Sequence, residues 1–115
     1  MDPIKDIIKF NTDRNLVKFS ASAEYSMLFE ELQEFLMGSA RDNEKEMLDG
    51  LCDLIVVSVG AINKLGYDPH IALDETVKEI TSRKGSFNKA SGKWDKDPFQ
   101  DAEELYIADY QKAKR

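Results

Sequence analysis

The feature that most restricts the fold is a long apolar segment, residues 47–62, in which Asp49 and Asp53 are the only charged residues. On a helix its Leu, Ile and Val side chains would point in every direction, and a helix that is apolar all round is typical of a buried helix. Asp49 and Asp53 lie an i to i+4 step apart and about 40° apart around such a helix. Desolvated carboxylates repel each other unless a cation lies between them. The segment therefore predicts a buried helix that carries a cation-binding pair, with Cys52 packed in the core.

Helical start and stop signals account for most of the first 82 residues, whereas the alternation typical of strands is scarce. Pro at a first helical position, a capping Asp before it and Gly after the last turn mark the helix ends. Helix one is expected to start at Pro3 after Asp2, and helix two to cover about residues 22–37 with Gly38 as its stop. Helix three is expected from near Asp42 to Leu65 with Gly66 as its cap, and helix four from Pro69 after Asp68. The predicted fold class is all-α, a four-helix-bundle-like core.

The carboxyl-terminal third has a different composition. Residues 83–100 are rich in Gly, Asn, Ser and Lys, which predicts a loop with a tight turn at the stretch "ASGK". Leu105, Ile107 and Tyr110 then suggest a short amphipathic terminal helix. We expect one domain, with residues 1–84 as the helical core and residues 85–115 as a loop-rich extension.

Charge and composition exclude several classes of function. Lys and Arg total 16 against 22 Asp and Glu among 115 residues, and the net charge of -6 argues against nucleic-acid and anionic-membrane partners. The single cysteine excludes an internal disulfide and suits a reducing compartment. Charges among the first ten residues argue against a secretion signal, and no apolar run reaches the ~20 residues of a membrane span. We therefore expect a cytoplasmic protein.

A second acidic group, "EELQE" at residues 30–34, lies on expected helix two. Glu30, Glu31 and Glu34 share the side opposite the main apolar arc of Leu28, Leu32 and Leu36, so an ordinary solvated face is one interpretation. The buried pair on helix three favours the other interpretation, a cation between the two helices. Lys or Arg could supply this charge, but the apolar segments contain few of them, so a divalent cation fits better. Oxygen ligands without His or Cys suit Mg²⁺ or Mn²⁺, and the only histidine, His70, lies in a turn.

The two acidic groups together resemble the motifs of a known superfamily. "EELQE" is similar to the EExxE half of the motif of all-α nucleoside triphosphate pyrophosphohydrolases, and "DGLCDLIVVSVGAINKLGYDP" resembles the half that follows, in which an Asp opens an apolar helix ending in a Leu-Gly turn. The resemblance covers about residues 1–84. It points to the MazG-like superfamily, which includes dimeric dUTPases and phosphoribosyl-ATP pyrophosphohydrolases, and the short chain is similar to phage-encoded members.

One departure from the family pattern concerns the second motif, which is usually ExxD. Gly50 stands three residues before Asp53, and Asp49 one position earlier can take the acidic role because an i to i+4 pair shares a helix side. Alternatively, Glu46 and Asp49 form the ExxD, which shifts the apolar helix out of register. The metal ligands that the resemblance implies are Glu31, Glu34, Asp49 and Asp53, with Glu30 and Glu46 as supporting residues or occasional ligands.

The resemblance also implies residues that contact substrate. The family usually has an Asn and a Lys after helix four, and this chain keeps Lys84 but has Thr81 near the position of the Asn. Arg83 and Lys84 are expected phosphate partners, or alternatively interact with the end of helix four. Asn11 is a candidate base contact. A flap of Lys93, Trp94 and Lys96 over substrate is a further alternative to solvated lysines and a Trp94 packed on the bundle.

The activity that the resemblance implies is Mg²⁺-dependent (or Mn²⁺-dependent) hydrolysis of nucleoside triphosphates between the α and β phosphates, with Glu31 or Glu34 orienting or deprotonating the water. Nucleotide-pool cleansing and turnover of dUTP or dCTP are roles of this kind. Family members are dimers or tetramers, so we expect a homodimer or homotetramer. Two alternatives remain from the sequence: a catalytically silent bundle that binds nucleotide or metal, and a helical protein-interaction module.

Overall fold

A computed structural model describes all 115 residues, Met1 to Arg115, and the chain is mostly helical, as predicted. It packs as two compact units, residues 1–69 with Arg115, and residues 70–114, whereas the sequence prediction divided the chain after residue 84. The first unit contains helices α1 (Pro3–Asp13), α2 (Ala21–Ala40) and α3 (Glu44–Lys64). The second contains helix α4 (Pro69–Ser82, less its first residue) and strands β1 (Gly85–Asn88) and β2 (Lys93–Lys96), followed by short 3-10 turns at Ala102–Glu104 and Tyr110–Ala113.

Local capping residues set the helix starts in the first unit. The Asp2 carboxylate accepts the Lys5 N–H at 3.1 Å, and Pro3 is the first residue of α1, as predicted. The Asn43 side chain caps α3 by accepting the Glu46 N–H at 3.1 Å. At its other end α3 is followed by Gly66 with φ +95°, the left-handed conformation that was expected there.

Gly38 does not end α2, because its role is to let two helices approach closely. It is buried inside α2, and a Cβ at this position would lie 2.8 Å from the Met47 backbone nitrogen of α3. Further along the antiparallel pair, a Cβ on Gly50 would lie 2.9 Å from the Phe35 nitrogen. The backbones of α2 and α3 therefore touch at two glycines, and no larger residue fits at either point.

Helix α3 is not buried on all sides, so the prediction of a fully buried third helix is wrong for the isolated chain. Val59 is buried, but Leu48, Leu51 and Ile55 are exposed by 58%, 44% and 61%. Cys52, predicted to lie in the core, is also exposed. Periodicity shows that a helix has no polar side, but it does not say which molecule covers each apolar side.

A buried ion pair joins the start of α2 to the end of α3. The Lys64 ammonium lies 2.7 Å from the Glu24 carboxylate, and both side chains are almost fully buried. Removing one partner would leave an uncompensated buried charge, so the pair helps to specify the register of the two helices. Arg115 closes the same unit, because its N–H donates to the Gly66 carbonyl at 3.0 Å.

Residues 85–96 form a β-hairpin where a loop with a tight turn was predicted. The strands are antiparallel, with Phe87 opposite Trp94 and Gly85 opposite Lys96. The Asn88 side-chain oxygen accepts the N–H groups of Ala90 and Ser91 in the turn, and Gly92 supplies a positive φ of +71°. The turn composition was therefore interpreted correctly, but pairing between strands this short depends on partners that periodicity does not reveal.

The predicted terminal helix is absent, because the segment from Tyr106 to Asp109 instead extends along α4. The Ala108 N–H donates to the Glu79 carboxylate at 3.0 Å, and the Asp109 N–H donates to Glu75 at 2.9 Å. The Tyr106 hydroxyl also donates to Glu75. The hydrogen bond from Tyr106, and after it the one from the Asp109 N–H, lower the pKa of the Glu75 carboxyl below its ordinary value. The N–H groups of this segment thus donate to carboxylates of α4, whereas in a terminal helix they would donate to backbone carbonyls of that helix.

Candidate metal centre

Three carboxylates from two helices converge in the first unit. Glu31 and Glu34 lie on α2 and Asp53 lies on α3, and one oxygen from each is within 4.8 Å of the others. The close contact at Gly50 brings the helices together here, because a Cβ at position 50 would stand 3.1 Å from the Glu31 carbonyl oxygen. The helix pair therefore holds three acidic oxygens at the spacing of ligands to a single ion.

The electrostatics of this cluster centre on Glu31. Its pKa is raised to about 7, first by burial and then by a hydrogen bond with Glu34 and the nearby charges of Asp53 and Glu34. The Glu31 Oε2 atom is buried and has no hydrogen-bond partner. A buried acceptor without a donor is costly. A positive group placed at this oxygen would remove that cost.

The donor set fits a hard divalent cation. Carboxylate oxygens are the ligands that Mg²⁺ and Mn²⁺ prefer, and His and Cys, which would favour zinc, are absent from the cluster. A cation bound by Glu31, Glu34 and Asp53 would offset their mutual repulsion and satisfy the buried Glu31 oxygen. These three side chains form the candidate metal centre.

The structure does not bring the fourth predicted ligand into this cluster. Asp49 is half-exposed, and its carboxylate accepts the Lys45 ammonium at 2.9 Å one helical turn away. Glu46 pairs with Arg41 at 3.4 Å, and Glu30 is exposed. Lys45 was overlooked as a partner in the sequence, although its i to i+4 spacing to Asp49 is the ordinary signal of a helical ion pair.

The packing of α2 on α3 explains the departure at Gly50. An acidic side chain at this position, which the family pattern would place there, would put its Cβ within 3.1 Å of the Phe35 Cα and closer still to the Phe35 nitrogen. The chain therefore has glycine where the helices touch, and Asp53 is the α3 carboxylate that points toward Glu31 and Glu34.

The predicted substrate contacts are either buried or ion-paired in the structure. Asn11 on α1 is buried, and its Nδ2 atom lies 2.7 Å from the point where a Cβ on Gly60 would stand. In the second unit, the Arg83 guanidinium donates to Glu79 at 3.0 Å, and the Lys84 ammonium pairs with Glu104. Each of these cations would have to share or exchange its carboxylate partner to bind a phosphate.

We expect the metal-free protein to lose stability as pH rises through neutrality. A carboxyl whose folded pKa is raised stabilises the fold fully below its unfolded pKa of about 4.5, and this contribution is lost as pH rises through about 7. In EDTA, the melting temperature should fall by roughly 5 °C between pH 5 and pH 8. Glu31→Gln should flatten this decline, and an equally steep decline in the variant would contradict the assignment to Glu31.

No helix of the chain has the length and apolar character needed to cross a membrane. Compared with protein families, curated proteins and solved structures, the chain matches none.

Proposed function

We propose that the chain is a divalent-metal-dependent nucleoside triphosphate pyrophosphohydrolase with a MazG-type helical core. The observation that carries this proposal is the convergence of Glu31, Glu34 and Asp53 around a buried oxygen that lacks a partner. The resemblance of "EELQE" and of the apolar helix with its "LGYDP" end supplies the reaction class. The proposed reaction adds water to the α phosphorus and breaks its bond to the bridging oxygen, which leaves a monophosphate and pyrophosphate.

The chain's own residues have three tasks in this reaction. Glu31, Glu34 and Asp53 would hold Mg²⁺ or Mn²⁺, which supplies positive charge to the phosphates and lowers the pKa of bound water. A glutamate on α2 would orient the attacking water and accept its proton. Contact between the α2 and α3 backbones limits movement of the carboxylates during the reaction.

The direct test is release of pyrophosphate from the common ribo- and deoxyribonucleoside triphosphates and dUTP, each with Mg²⁺, Mn²⁺ or EDTA. We expect release with either metal, none in EDTA, and a monophosphate as the second product. Release of inorganic phosphate instead would place the cleavage at the wrong bond. If all the triphosphates stay intact while the protein still binds Mn²⁺, the catalytically silent alternative is correct.

We also propose that the chain forms a homodimer or homotetramer through the first unit. Two apolar stripes that the chain leaves uncovered support this proposal: each side chain in them is between 44% and 71% exposed. The stripes are Tyr25, Phe29, Leu32 and Leu36 on α2, and Leu48, Leu51 and Ile55 on α3. A hollow of about 190 Å³ next to the α2 stripe is lined by four α2 side chains and by Leu54 of α3. Exposed apolar surface of this extent is typical of interfaces between subunits.

This surface and the carboxylate cluster lie on different sides of α2. Glu34 follows Tyr25 by nine residues, which turns it about 180° around the helix. A second copy bound over the apolar stripes would therefore leave the carboxylates of its partner accessible.

We expect Leu32→Glu, which places a charge in the α2 stripe, to convert the assembly into monomers at micromolar protein concentration. Sedimentation equilibrium would measure the mass. Val17→Glu is the matched control, because Val17 is 49% exposed but lies in the connection between α1 and α2, outside both stripes. A monomeric wild-type protein, or a control that dissociates equally, would refute this interface.

A further inference from the structure

The β-hairpin of residues 85–96 presents an aromatic and cationic face. Phe87 and Trp94 are directly opposite each other in the antiparallel register, so their side chains share one face of the hairpin. They are 60% and 59% exposed. Gly85 lies two residues before Phe87 and Lys96 two residues after Trp94, so both belong to the same face. We call these four residues the aromatic face.

The packing of Trp94 fixes the orientation of this face. A Cβ on Gly85 would lie 2.5 Å from the Trp94 Nε1 atom, so the indole ring covers the glycine. The turn is held by the side-chain oxygen of Asn88, and Asn88 also donates to Asp95 at 2.9 Å across the other face. The indole thus lies against the hairpin and still has most of its surface exposed.

The hairpin segment is rich in cations, although the chain as a whole has a net charge of -6 and Arg83 and Lys84 are paired with Glu79 and Glu104. Between positions 83 and 96 there are five cations and one carboxylate. Lys96, on the aromatic face, has no carboxylate partner. Together with Asp97 and with Arg83, which is paired with Glu79, it lines a hollow of about 280 Å³ in the same unit.

We propose that the aromatic face binds a nucleoside triphosphate, with the base stacked on Trp94 and Phe87 and the phosphates near Lys96 and Arg83. The identification of the ligand as substrate rests on the proposed function. Flat bases stack on exposed aromatic rings, and ammonium and guanidinium groups bind phosphate.

The size of the aromatic face favours a small ligand. Two aromatic side chains bury about 150–250 Å² each, which is well below the roughly 800 Å² per partner of a standard protein interface. A nucleic-acid strand has the same base and phosphate chemistry, but its many charges would be repelled by the acidic remainder of the chain. A free nucleotide fits both the area and the charge.

Trp94 is the only tryptophan of the chain and therefore reports directly on this surface. In Asp53→Asn, where hydrolysis should be blocked, we expect saturable quenching of its fluorescence by dUTP and the four common deoxynucleoside triphosphates. N-acetyltryptophanamide corrects for light absorbed by the nucleotides. Quenching that is absent at millimolar nucleotide would overturn the inference.

Matched variants test the face itself by calorimetry with the same nucleotides. Lys96→Ala and Trp94→Ala should each weaken binding about tenfold. Phe99→Ala, 92% exposed outside the hairpin, should leave the affinity unchanged. Equal losses in the face and control variants would refute the assignment.

Three further outcomes would overturn the inference. Tighter binding of single-stranded oligothymidylate than of the triphosphates would assign the face to nucleic acid. A blue shift of Trp94 emission on raising protein concentration without nucleotide would assign it to a second copy. Hydrolysis that depends on Asp53, without any quenching of Trp94 by nucleotide, would refute the hairpin site and leave the proposed function intact. Saturable quenching by nucleotide without any hydrolysis by the wild-type protein would refute the proposed function and leave the hairpin site intact.

Discussion

Replacing Asp53 with Asn is expected to reduce metal-dependent pyrophosphate release by at least about 100-fold, because it removes one of three charged ligands at the candidate metal centre. The fold should persist, since Asn is nearly isosteric with Asp and the change removes a charge that repels Glu31. With one neighbouring charge gone, the pKa of Glu31 should fall from about 7 toward its ordinary value. The measurements are steady-state kinetics with Mg²⁺ and Mn²⁺ and thermal unfolding in EDTA.

Asp49→Asn is the matched control for this prediction. It is the same substitution on the same helix, one turn away, at a carboxylate that pairs with Lys45. We expect a change in rate of less than about threefold, in line with the small worth of an exposed helical ion pair. If Asp49→Asn abolishes activity as completely as Asp53→Asn does, the four-ligand set that the family resemblance implied is correct. If neither variant loses activity, the candidate centre is not the site of hydrolysis.

Gly50→Ala should destabilise the chain by about 2–3 kcal/mol, because the added methyl group would be forced against the backbone of α2. An alanine inside a helix ordinarily gains up to about 1 kcal/mol over glycine, so a net loss would show that steric overlap outweighs propensity. Activity should fall as well, since separating the helices moves Asp53 away from Glu31. Urea unfolding monitored by circular dichroism would measure the stability.

Gly60→Ala is the comparison for this substitution. Its Cβ would approach the Asn11 Nδ2 atom at 2.7 Å, so the obstacle is the end of a side chain rather than backbone. Asn11 can rotate, and we expect a loss of less than about 1 kcal/mol and activity close to wild type. A stabilising Gly50→Ala, or equal losses at both positions, would contradict the proposed role of the glycine contact in holding the centre together.

Several sequence interpretations failed at positions where another segment of the chain decides the outcome. Gly38 is a residue type that often ends helices, but it lies inside α2. At this position a side chain would overlap the backbone of α3. The terminal segment has helical spacing, but its N–H groups bond to Glu75 and Glu79 of α4. Asp49 and Asp53 look equivalent by periodicity, yet only Asp53 joins the carboxylate cluster.

The sequence by itself determined the properties that depend on neighbours within one or two helical turns. Asp2 with Pro3, Asn43 and Gly66 set helix ends through bonds to their own backbone and through allowed φ angles, and the spacing of Glu31 and Glu34 placed both on one side of α2. The tertiary structure alone decided which carboxylate of α3 meets them, since that depends on where two glycines let the helices touch. It also decided which apolar sides stay exposed, because an apolar side chain specifies a need for burial but not the surface that satisfies it.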